Sequence, residues 1–548
     1  MKKSILALGA AVALGGLGFA GVAQAGYYFG AGTTPPTGVD VAYAPGSVGH
    51  YLFTPYYSVQ NGNGTIINIT NTDANNGKAV KVRFRGAANS DDVFDFTVLL
   101  SPGDVWTGDI RRDGDSAPYI ITQDKSCTLP QIPASGAMPG LNVFNEQNLD
   151  PALSAAGKLN GMSEGYIEYF NMADIPPKLV SDGLAGTIND GVKAGGANGV
   201  YAAIKHKSGV PTCATASLSH LWDTSAWTAA QAEGAGLAAP TGGLMGGWGV
   251  FNRAELAVFS GNHTAVRVNT ATNLNGSGHI AFSPQIDTPT GTSVNAWTAD
   301  PLLRNDPTAG SLFNTAYKAP LWFDLPDMST PLVPAYAGDP KLQASQLSWA
   351  ITHQVVFNDY VADPTGAVPA TTDWVISQPT RRYHSAVAYE LTVGGVTAPA
   401  IVANDDMANP STLILSGVGP LTLANNRYAG LFLKKLGADK GAQSCFNRSI
   451  STTDREEFQV AAGGPVASPG TAPQKDLACG EVFTLTMGTG STSVLGATIT
   501  NSTVATNGTQ GWASLNTDFN SPVVGYSATS LKASTGNFGV TTPHRSND

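Results

Sequence analysis

Charged side chains are scarce in this sequence. Asp, Glu, Lys and Arg together make up 13% of its 548 residues, about half of the share that is usual in soluble domains. The 40 acidic residues outnumber the 30 basic ones, which leaves a formal net charge of −10. Nucleic-acid-binding chains show the opposite balance, so we expect no nucleic-acid partner. A low charge density favours surfaces that meet other protein copies without strong repulsion.

Catalytic motifs are also absent from the sequence. It has no G-x-S-x-G, no H-E-x-x-H, no Walker lysine loop and no G-x-G-x-x-G opening a helix. None of the eight histidines has a second histidine four residues away, the spacing of a zinc face on a helix. Ser219, His220 and Asp223 are close in sequence, but triad residues meet through the fold, so this proximity is no sign of a triad. We expect no enzyme, and a secreted hydrolase stays as an alternative.

Cysteine is rare: Cys127, Cys213, Cys445 and Cys479 are the four in the chain. None lies in a C-x-x-C motif, which disfavours thioredoxin-like redox chemistry and covalent haem. In an exported chain, four cysteines predict two disulfides, and three pairings are open. We favour Cys127 with Cys213 and Cys445 with Cys479, because the other two pairings would tie the ends of the chain together.

After the N-terminus, no apolar stretch approaches the length of a transmembrane helix. The N-terminus reads MKKSILALGAAVALGGLGFAGVAQA, with two lysines, an apolar run and an A-x-A arrangement. This pattern predicts a secretory signal peptide over residues 1–25, cleaved between Ala25 and Gly26. A membrane anchor is disfavoured because the run is rich in Ala and Gly and ends at the cleavage site. We therefore expect a secreted chain without a transmembrane span.

Alternation typical of β-strands is abundant. In KAVKVRFRGAANSDDVFDFTVLLSPGDVW, residues 78–106, apolar side chains recur at every second position on both sides of a polar turn. This pattern predicts a hairpin. The expected cross-strand pairs are Phe84 with Phe94, Val82 with Phe96, and Arg83 with Asp95. We expect one buried face and one cationic face in water, as in an antiparallel sheet lying on a core.

The same patterns continue along the chain and predict an all-β fold of several antiparallel, Ig-like β-sandwich domains with long loops and a few short helices. We expect a β-sandwich-like domain over residues 26–125, a mixed, mainly β middle domain over 126–345, and a C-terminal β domain over 346–548. Residues 199–207 (GVYAAIKHK) are predicted as a strand and residues 224–236 (TSAWTAAQAEGAG) as a helix. No repeat of fixed period is visible.

Pairs of aspartates in loops are the candidate metal ligands. Calcium prefers several oxygen atoms from flexible loops and often rigidifies extracellular modules. None of the pairs matches a complete calcium-binding loop motif, and aspartate is also a common turn residue in water. The candidate calcium ligands are Asp113, Asp115, Asp324, Asp327, Asp405 and Asp406.

Basic residues are concentrated in one region. They are Lys81, Arg83, Arg85, Arg111 and Arg112. One interpretation is a solvated face paired with Asp91, Asp92 and Asp95, since surface ion pairs are common and individually weak. The alternative is an anion dock for the phosphates of lipopolysaccharide or for acidic loops of a neighbouring copy.

Several stretches resemble a family of exported proteins. They are FTPYYSVQNGNGTIINITNTD, GKAVKVRFRGAANSDDVFDFTVLLSPGDVW, TDWVISQPTRRYH, STTDREEF and SVLGA. The chain is similar here to S-layer-like, cell-surface proteins of Gram-negative bacteria. The resemblance implies a surface location and carries over no catalytic residues.

These observations lead to one functional hypothesis and one further alternative. We expect a structural protein that assembles with other copies of itself on the cell surface, as an S-layer or filament subunit, with calcium as a candidate bridge. The alternative is an adhesin that binds glycan or mineral surfaces through exposed tryptophans. Candidates for such a platform are Trp222, Trp227, Trp248 and Trp322, although tryptophan is more often buried in a core.

Overall fold

The structure is a computed structural model. It describes residues 39–146, 149–214, 218–222, 229–252, 256–270, 347, 350–379, 385–388, 391–393, 396–398, 401–404, 432–456, 474–498, 501–533 and 536–547. Within these residues the fold is all-β, as predicted, and the sheets are mainly antiparallel. Three short helices, Ala155–Ser163, Gly199–Ile204 and Ala229–Gly234, accompany the sheets in the described residues.

The first strands build an N-terminal sandwich. They are β1 (Val39–Tyr43), β2 (Tyr51–Ser58), β3 (Asn63–Asn71), β4 (Gly77–Gly86), β5 (Asp92–Leu100), β6 (Val105–Arg111), β7 (Tyr119–Ile121), β8 (Cys127–Leu129), β9 (Glu164–Ile175), β10 (Leu244–Asn252), β11 (Ala257–Asn262) and β12 (Thr264–Thr270). In the described part of the chain they form a seven-stranded sheet, β1-β12-β2-β9-β4-β5-β8, and a five-stranded sheet, β11-β10-β3-β6-β7. Apolar residues of both sheets, such as Phe84, Tyr169, Ile67 and Trp106, meet in one buried cluster.

The hairpin predicted over residues 78–106 is confirmed. In the ladder of β4 and β5, Phe84 lies opposite Phe94, Val82 opposite Phe96, and Arg83 opposite Asp95. The expectation of a cationic face in water is wrong, because every residue of β4 is buried. Chain that follows β9 covers this face, where Ala79 joins Val200 and Ile204 in a second apolar cluster.

This covering chain contains a helix where the sequence pattern predicts a strand. Residues 199–207 are not extended throughout, since Gly199–Ile204 is helical. Asn198 caps the helix by accepting a hydrogen bond from the Val200 backbone N–H at 3.0 Å. Val200, Ala203 and Ile204 are buried and recur at helical spacing, so the apolar face suits a helix docked on a sheet. The helix predicted over residues 224–236 is present at Ala229–Gly234, and residues 223–228 lie outside the described part.

Most of the later strands build a C-terminal sandwich, and four short ones form two separate two-stranded sheets. The later strands are β13 (Thr352–Asp363), β14 (Ala370–Ser377), β15 (Ser385–Ala388), β16 (Leu391–Val393), β17 (Val396–Ala398), β18 (Ile401–Asn404), β19 (Phe432–Lys435), β20 (Ala442–Asp454), β21 (Gln474–Cys479), β22 (Val482–Met487), β23 (Asn501–Val504), β24 (Gln510–Pro522), β25 (Val524–Ala533), β26 (Gly536–Pro543) and β27 (Arg545–Asn547). A separate buried cluster, including Trp374, Phe483 and Leu515, forms its core.

Sheet membership bears on the predicted domain limits. Strands β9 to β12 lie within the two sheets that contain β2 to β6. The described strands of residues 39–125 and of residues 126–270 therefore share the sheets of the N-terminal sandwich. The limit near residue 346 falls just before β13, the first strand of the C-terminal sandwich.

The two sandwiches share one order of hydrogen-bonded strands, although a short ladder also joins β13 to β14. In the N-terminal sandwich, hydrogen-bonded neighbours run β12-β2-β9-β4-β5 and β11-β10-β3-β6-β7. In the C-terminal sandwich they run β27-β13-β24-β20-β21 and β26-β25-β14-β22-β23. The strands follow in the same chain order, and the pair β22 and β23 differs in direction, being parallel whereas β6 and β7 are antiparallel. Within the described residues, the chain thus contains a structural repeat of a ten-stranded sandwich.

The repeat extends to single glycines. Gly246 lies opposite Ile69 in the ladder of β10 and β3, and Gly525 lies opposite Ile376 in the ladder of β25 and β14. A Cβ atom on Gly246 would lie 2.0 Å from the carbonyl oxygen of Asn68. On Gly525 it would lie 2.0 Å from the carbonyl oxygen of Val375, so both sites require a residue without a side chain.

The repeat also places two buried histidines in the same setting. His263 follows β11 and His544 follows β26, and each backbone N–H donates to the equivalent glycine carbonyl at 3.1 Å. Because a carbonyl oxygen only accepts, each Nε2 must donate where it meets a strand carbonyl at 2.9 Å. The Nδ1 atoms contact equivalent β-strand side chains, Thr54 at 2.9 Å and Asn358 at 3.0 Å. Burial lowers the pKa of each imidazole to about 4.

We expect Gly246→Ala and Gly525→Ala to destabilise their sandwiches, each by about 1–3 kcal/mol, because the new methyl group must displace backbone. Urea unfolding followed by tryptophan fluorescence measures the effect. Gly46→Ala is the matched control, since a Cβ atom there has nothing within 4 Å. Equal midpoints for all three variants would contradict the close strand contacts.

We expect acid to destabilise both sandwiches through His263 and His544. Their pKa of about 4 in the folded chain lies below the ordinary histidine value, so the stabilisation by the neutral ring is complete above about pH 6.5. It is lost as the pH falls from there towards 4, by roughly 3 kcal/mol for each ring. Unfolding midpoints between about pH 7.5 and 4.5 should fall more steeply for the native chain than for the double variant H263Q/H544Q, which keeps an Nε2 donor. Parallel profiles would refute this role.

Candidate functional site

Both predicted disulfides are confirmed. Cys127 is bonded to Cys213 and Cys445 to Cys479. The first bond ties β8 to chain that follows the helix at Gly199–Ile204. The second joins directly opposed residues of β20 and β21. Within the described residues, no helix is long and apolar enough to cross a membrane.

The five basic residues of the predicted anion dock lie in different places. Lys81, Arg83 and Arg85 are buried on the covered face of β4. Arg85 Nε lies 3.2 Å from Glu168 Oε2, and Arg83 is within ion-pair distance of Asp92 and Asp95. The two arginines are therefore compensated by carboxylates on the covered face, as buried charges must be.

The other two predicted dock residues lie outside this buried network. Arg111, on the five-stranded sheet, forms an ion pair with Asp109. Arg112 donates from Nη1 to Gln60 Oε1 at 3.2 Å and to Ser163 Oγ at 3.1 Å. Because Arg111 and Lys81 belong to different sheets, the structure does not bring all five cations into one patch.

Two of the six carboxylates proposed as calcium ligands lie in the described residues. Asp113 and Asp115 lie in an exposed turn after β6, where Asp113 Oδ2 accepts a hydrogen bond from the Tyr119 hydroxyl at 2.8 Å. The described part of the chain contains no cluster of three or more His, Cys, Asp or Glu side chains that could hold a metal ion. Other predicted positions lie outside the described residues: Asp324, Asp327, Asp405, Asp406, Ala25 and Gly26.

Among the tryptophans proposed as a binding platform, Trp248 is buried. Its ring centroid lies 4.5 Å from that of Tyr526, a residue of the other sandwich. Trp227 and Trp322 lie outside the described residues, and for Trp222 only the backbone is described. Trp248 therefore serves packing between the two sandwiches.

This contact belongs to an interface in which the C-terminal sandwich uses a sheet face. Tyr526 lies on the outer face of β25, opposite the core of its own sandwich. On the same face of the neighbouring β26, the Thr541 hydroxyl donates to the carbonyl oxygen of Ser260, on β11. A Cβ atom on Gly539 would lie 2.2 Å from the carbonyl oxygen of Val258. The edge of β11 thus lies directly on the sheet face formed by β25 and β26.

Polar contacts fix the same interface elsewhere. The Ala87 carbonyl accepts hydrogen bonds from the backbone N–H groups of Glu481 and Val482 at 2.9 and 3.0 Å. The buried Asn89 side chain donates to the Ala442 carbonyl at 2.7 Å and accepts from the Ser444 backbone N–H at 3.0 Å. Such saturated polar contacts are directional, so they hold the two sandwiches in one relative orientation.

Two buried carboxylates contribute to this region. Glu164 accepts a hydrogen bond from the Tyr56 hydroxyl at 2.7 Å and from the backbone N–H of Thr498, in the other sandwich, at 3.2 Å. Asp373 accepts from the hydroxyls of Thr486 at 2.7 Å and Ser493 at 2.6 Å. Burial raises the pKa of Asp373, although these hydrogen bonds favour its charged form. Both carboxylates have protein partners that satisfy them.

The N-terminal sandwich has a sheet face equivalent to the one that is covered. We call it the open face, and it consists of the outward-pointing residues of β3, β6, β10 and β11, among them Ile66, Thr70, Val105, Met245, Val258 and Ser260. These side chains point away from Ile67, Trp106 and Val250, which lie in the buried cluster. The open face lies on the outside of the molecule.

Comparison of equivalent positions shows the difference between the two faces. Met245 is 40% exposed, whereas its equivalent Val524 is 6% exposed. Val105 is 44% exposed, whereas its equivalent Val482 is fully buried. Ile66, at the position of the buried Asp373, is 46% exposed. Met245 and Val105 thus stand exposed where the repeat buries their equivalents against another sandwich.

The open face carries little charge. Among its described residues, the charged side chains are Asp109 and Arg111, and these form an ion pair with each other. This surface was not predicted from the sequence, although one signal was available. Ile66 next to Ile67 breaks the strict alternation of β3, because two adjacent strand residues cannot both point into one core.

Comparison of the chain with protein-family models, with curated proteins and with solved structures finds no match. The chemistry and the geometry of the open face are therefore the features that bear on function. That surface combines exposed apolar side chains, low charge and the rigid support of a sheet, which are the properties of a protein contact surface.

Proposed function

We propose that this protein is an exported structural protein whose copies assemble on the surface of a Gram-negative bacterial cell, as subunits of a layer or a filament. The open face is the observation that carries this proposal. Exposed apolar patches of this kind mark interaction sites in soluble proteins. A second copy of the chain is a fitting partner, because the low charge density limits repulsion between copies.

The strength of such a contact follows from the residues involved. Ile66, Val105, Met245 and Val258 are each between 40% and 56% exposed. Covering the exposed half of an apolar side chain contributes roughly 1 kcal/mol, so the four contribute about 4 kcal/mol. Association costs at least about that much in lost freedom of motion. One contact is therefore weak, and a repeated array that adds many contacts is stable.

Other features support an extracellular scaffold. Two disulfides are typical of chains that fold in an oxidising compartment. The interface between the sandwiches makes one rigid unit, which suits a repeating subunit. The predicted signal peptide and the resemblance to S-layer-like proteins point to the same location. The proposal includes calcium and lipopolysaccharide as candidate ligands of the assembled copies.

We expect the purified mature protein to form concentration-dependent assemblies in sedimentation velocity runs and to give arrays or fibres in negative-stain electron microscopy. Ile66→Lys should raise the concentration needed for assembly by at least about tenfold, since a lysine on the open face must be desolvated in the contact. Adding a calcium chelator to the same sedimentation runs tests whether calcium bridges the copies.

The matched control is Val210→Lys, which places the same charge at a valine that is 53% exposed in a turn of the chain covering β4. It should assemble like the native protein. A native protein that stays monomeric at all concentrations, with calcium present, would refute the proposed function.

A further inference from the structure

The interface inside the chain joins two different surfaces. The N-terminal sandwich contributes the edge of β11, whose carbonyl groups at Val258 and Ser260 meet the partner sandwich. The C-terminal sandwich contributes the outer face around Tyr526, Gly539 and Thr541. Because the sandwiches repeat one topology, each of them possesses an edge of this kind and a face of this kind.

The two surfaces that this interface does not use are complementary in type. One is the open face, the N-terminal equivalent of the covered face. The other is the edge of β26, the equivalent of the β11 edge. β26 pairs with β25 on one side, and its residue Phe538 is 60% exposed. Within the described residues, each copy thus presents this face and this edge to its surroundings.

We propose that the β26 edge of one copy docks on the open face of a second copy, so that the chains assemble head to tail. This inference rests on the proposed function and specifies its contact. The occupant of the open face is the C-terminal sandwich of another copy, placed much as the N-terminal sandwich lies on the covered face within one chain. The internal interface serves as the template for the external one.

Side chains of the open face fit this occupant. Ser260 takes the position of Thr541, so a hydroxyl donor is again available for a carbonyl on the docking edge. Gly247 and Gly249 replace Tyr526 and Ala528 at the centre of the sheet. Strand glycines without side chains leave a shallow floor beside Met245, and an aromatic ring such as that of Phe538 can lie on it.

One difference weakens the external contact relative to the internal one. Val258 stands on the open face where the covered face has Gly539. The internal interface needs that glycine, because a Cβ atom there would lie 2.2 Å from a carbonyl oxygen. A valine therefore holds the docking edge farther away. The joint between copies is therefore weaker than the joint inside the chain.

The head-to-tail arrangement has a consequence for symmetry. A contact between two different surfaces leaves a free edge at one end of each assembly and a free face at the other. Unless the rotation between neighbours closes a ring, such a contact propagates without limit. A contact of the open face with itself would instead end at a dimer.

The test uses two variants, each lacking one surface. Ile66→Lys disables the open face, and Phe538→Lys disables the β26 edge. At a concentration at which the native protein assembles, each variant alone should sediment as a monomer. An equimolar mixture should form a heterodimer, because the intact edge of the first variant meets the intact face of the second. Thermal unfolding midpoints equal to that of the native protein show that both exposed substitutions are tolerated.

Other outcomes overturn the inference in distinguishable ways. If Phe538→Lys assembles like the native protein, the open face meets something other than the β26 edge, and the proposed function stands without this contact. If both variants are monomeric and the mixture is monomeric too, the two surfaces do not meet. A native protein that never assembles refutes the proposed function itself, and the inference with it.

Discussion

A β-sheet has two faces, and an apolar face must be covered by something. This constraint organises the molecule. One face of the seven-stranded sheet faces the five-stranded sheet, and the other is covered by chain that includes the helix Gly199–Ile204. On the outer face of β14, β22 and β25, Val375, Val482 and Tyr526 are covered by the N-terminal sandwich. The open face is the equivalent surface, and within the described residues no second sandwich covers it.

The features predictable from sequence are those that depend on neighbours along the chain. Alternation and a polar turn sufficed for the hairpin, including Arg83 opposite Asp95. Separation along the chain sufficed for both disulfides. The all-β class followed from the same patterns. None of these predictions requires knowledge of which sheets pack together.

The features that were missed depend on what covers a face. Period-two alternation separates Lys81 and Arg83 from the apolar side of β4, but it does not reveal that both sides are buried. The repeat was not visible in the sequence because its connecting segments differ in length. The number of residues between Gly246 and Gly525 therefore differs from the number between other pairs of equivalent residues. The open face could not be predicted for both of these reasons. It is recognised only by comparison with the equivalent face of the C-terminal sandwich, which is covered.

The pairing of β13 with β24 and β27 has a kinetic consequence. Most of the C-terminal half of the sequence lies between these strands. The sheet therefore closes only when a long loop closes, and the entropy cost of that loop slows folding. The N-terminal sandwich also depends on pairs that are distant in sequence, because β2 pairs with β9 and β12. Slow closure prolongs the unfolded state of a newly made chain, and an unfolded polypeptide can pass through a channel that is too narrow for a folded sandwich.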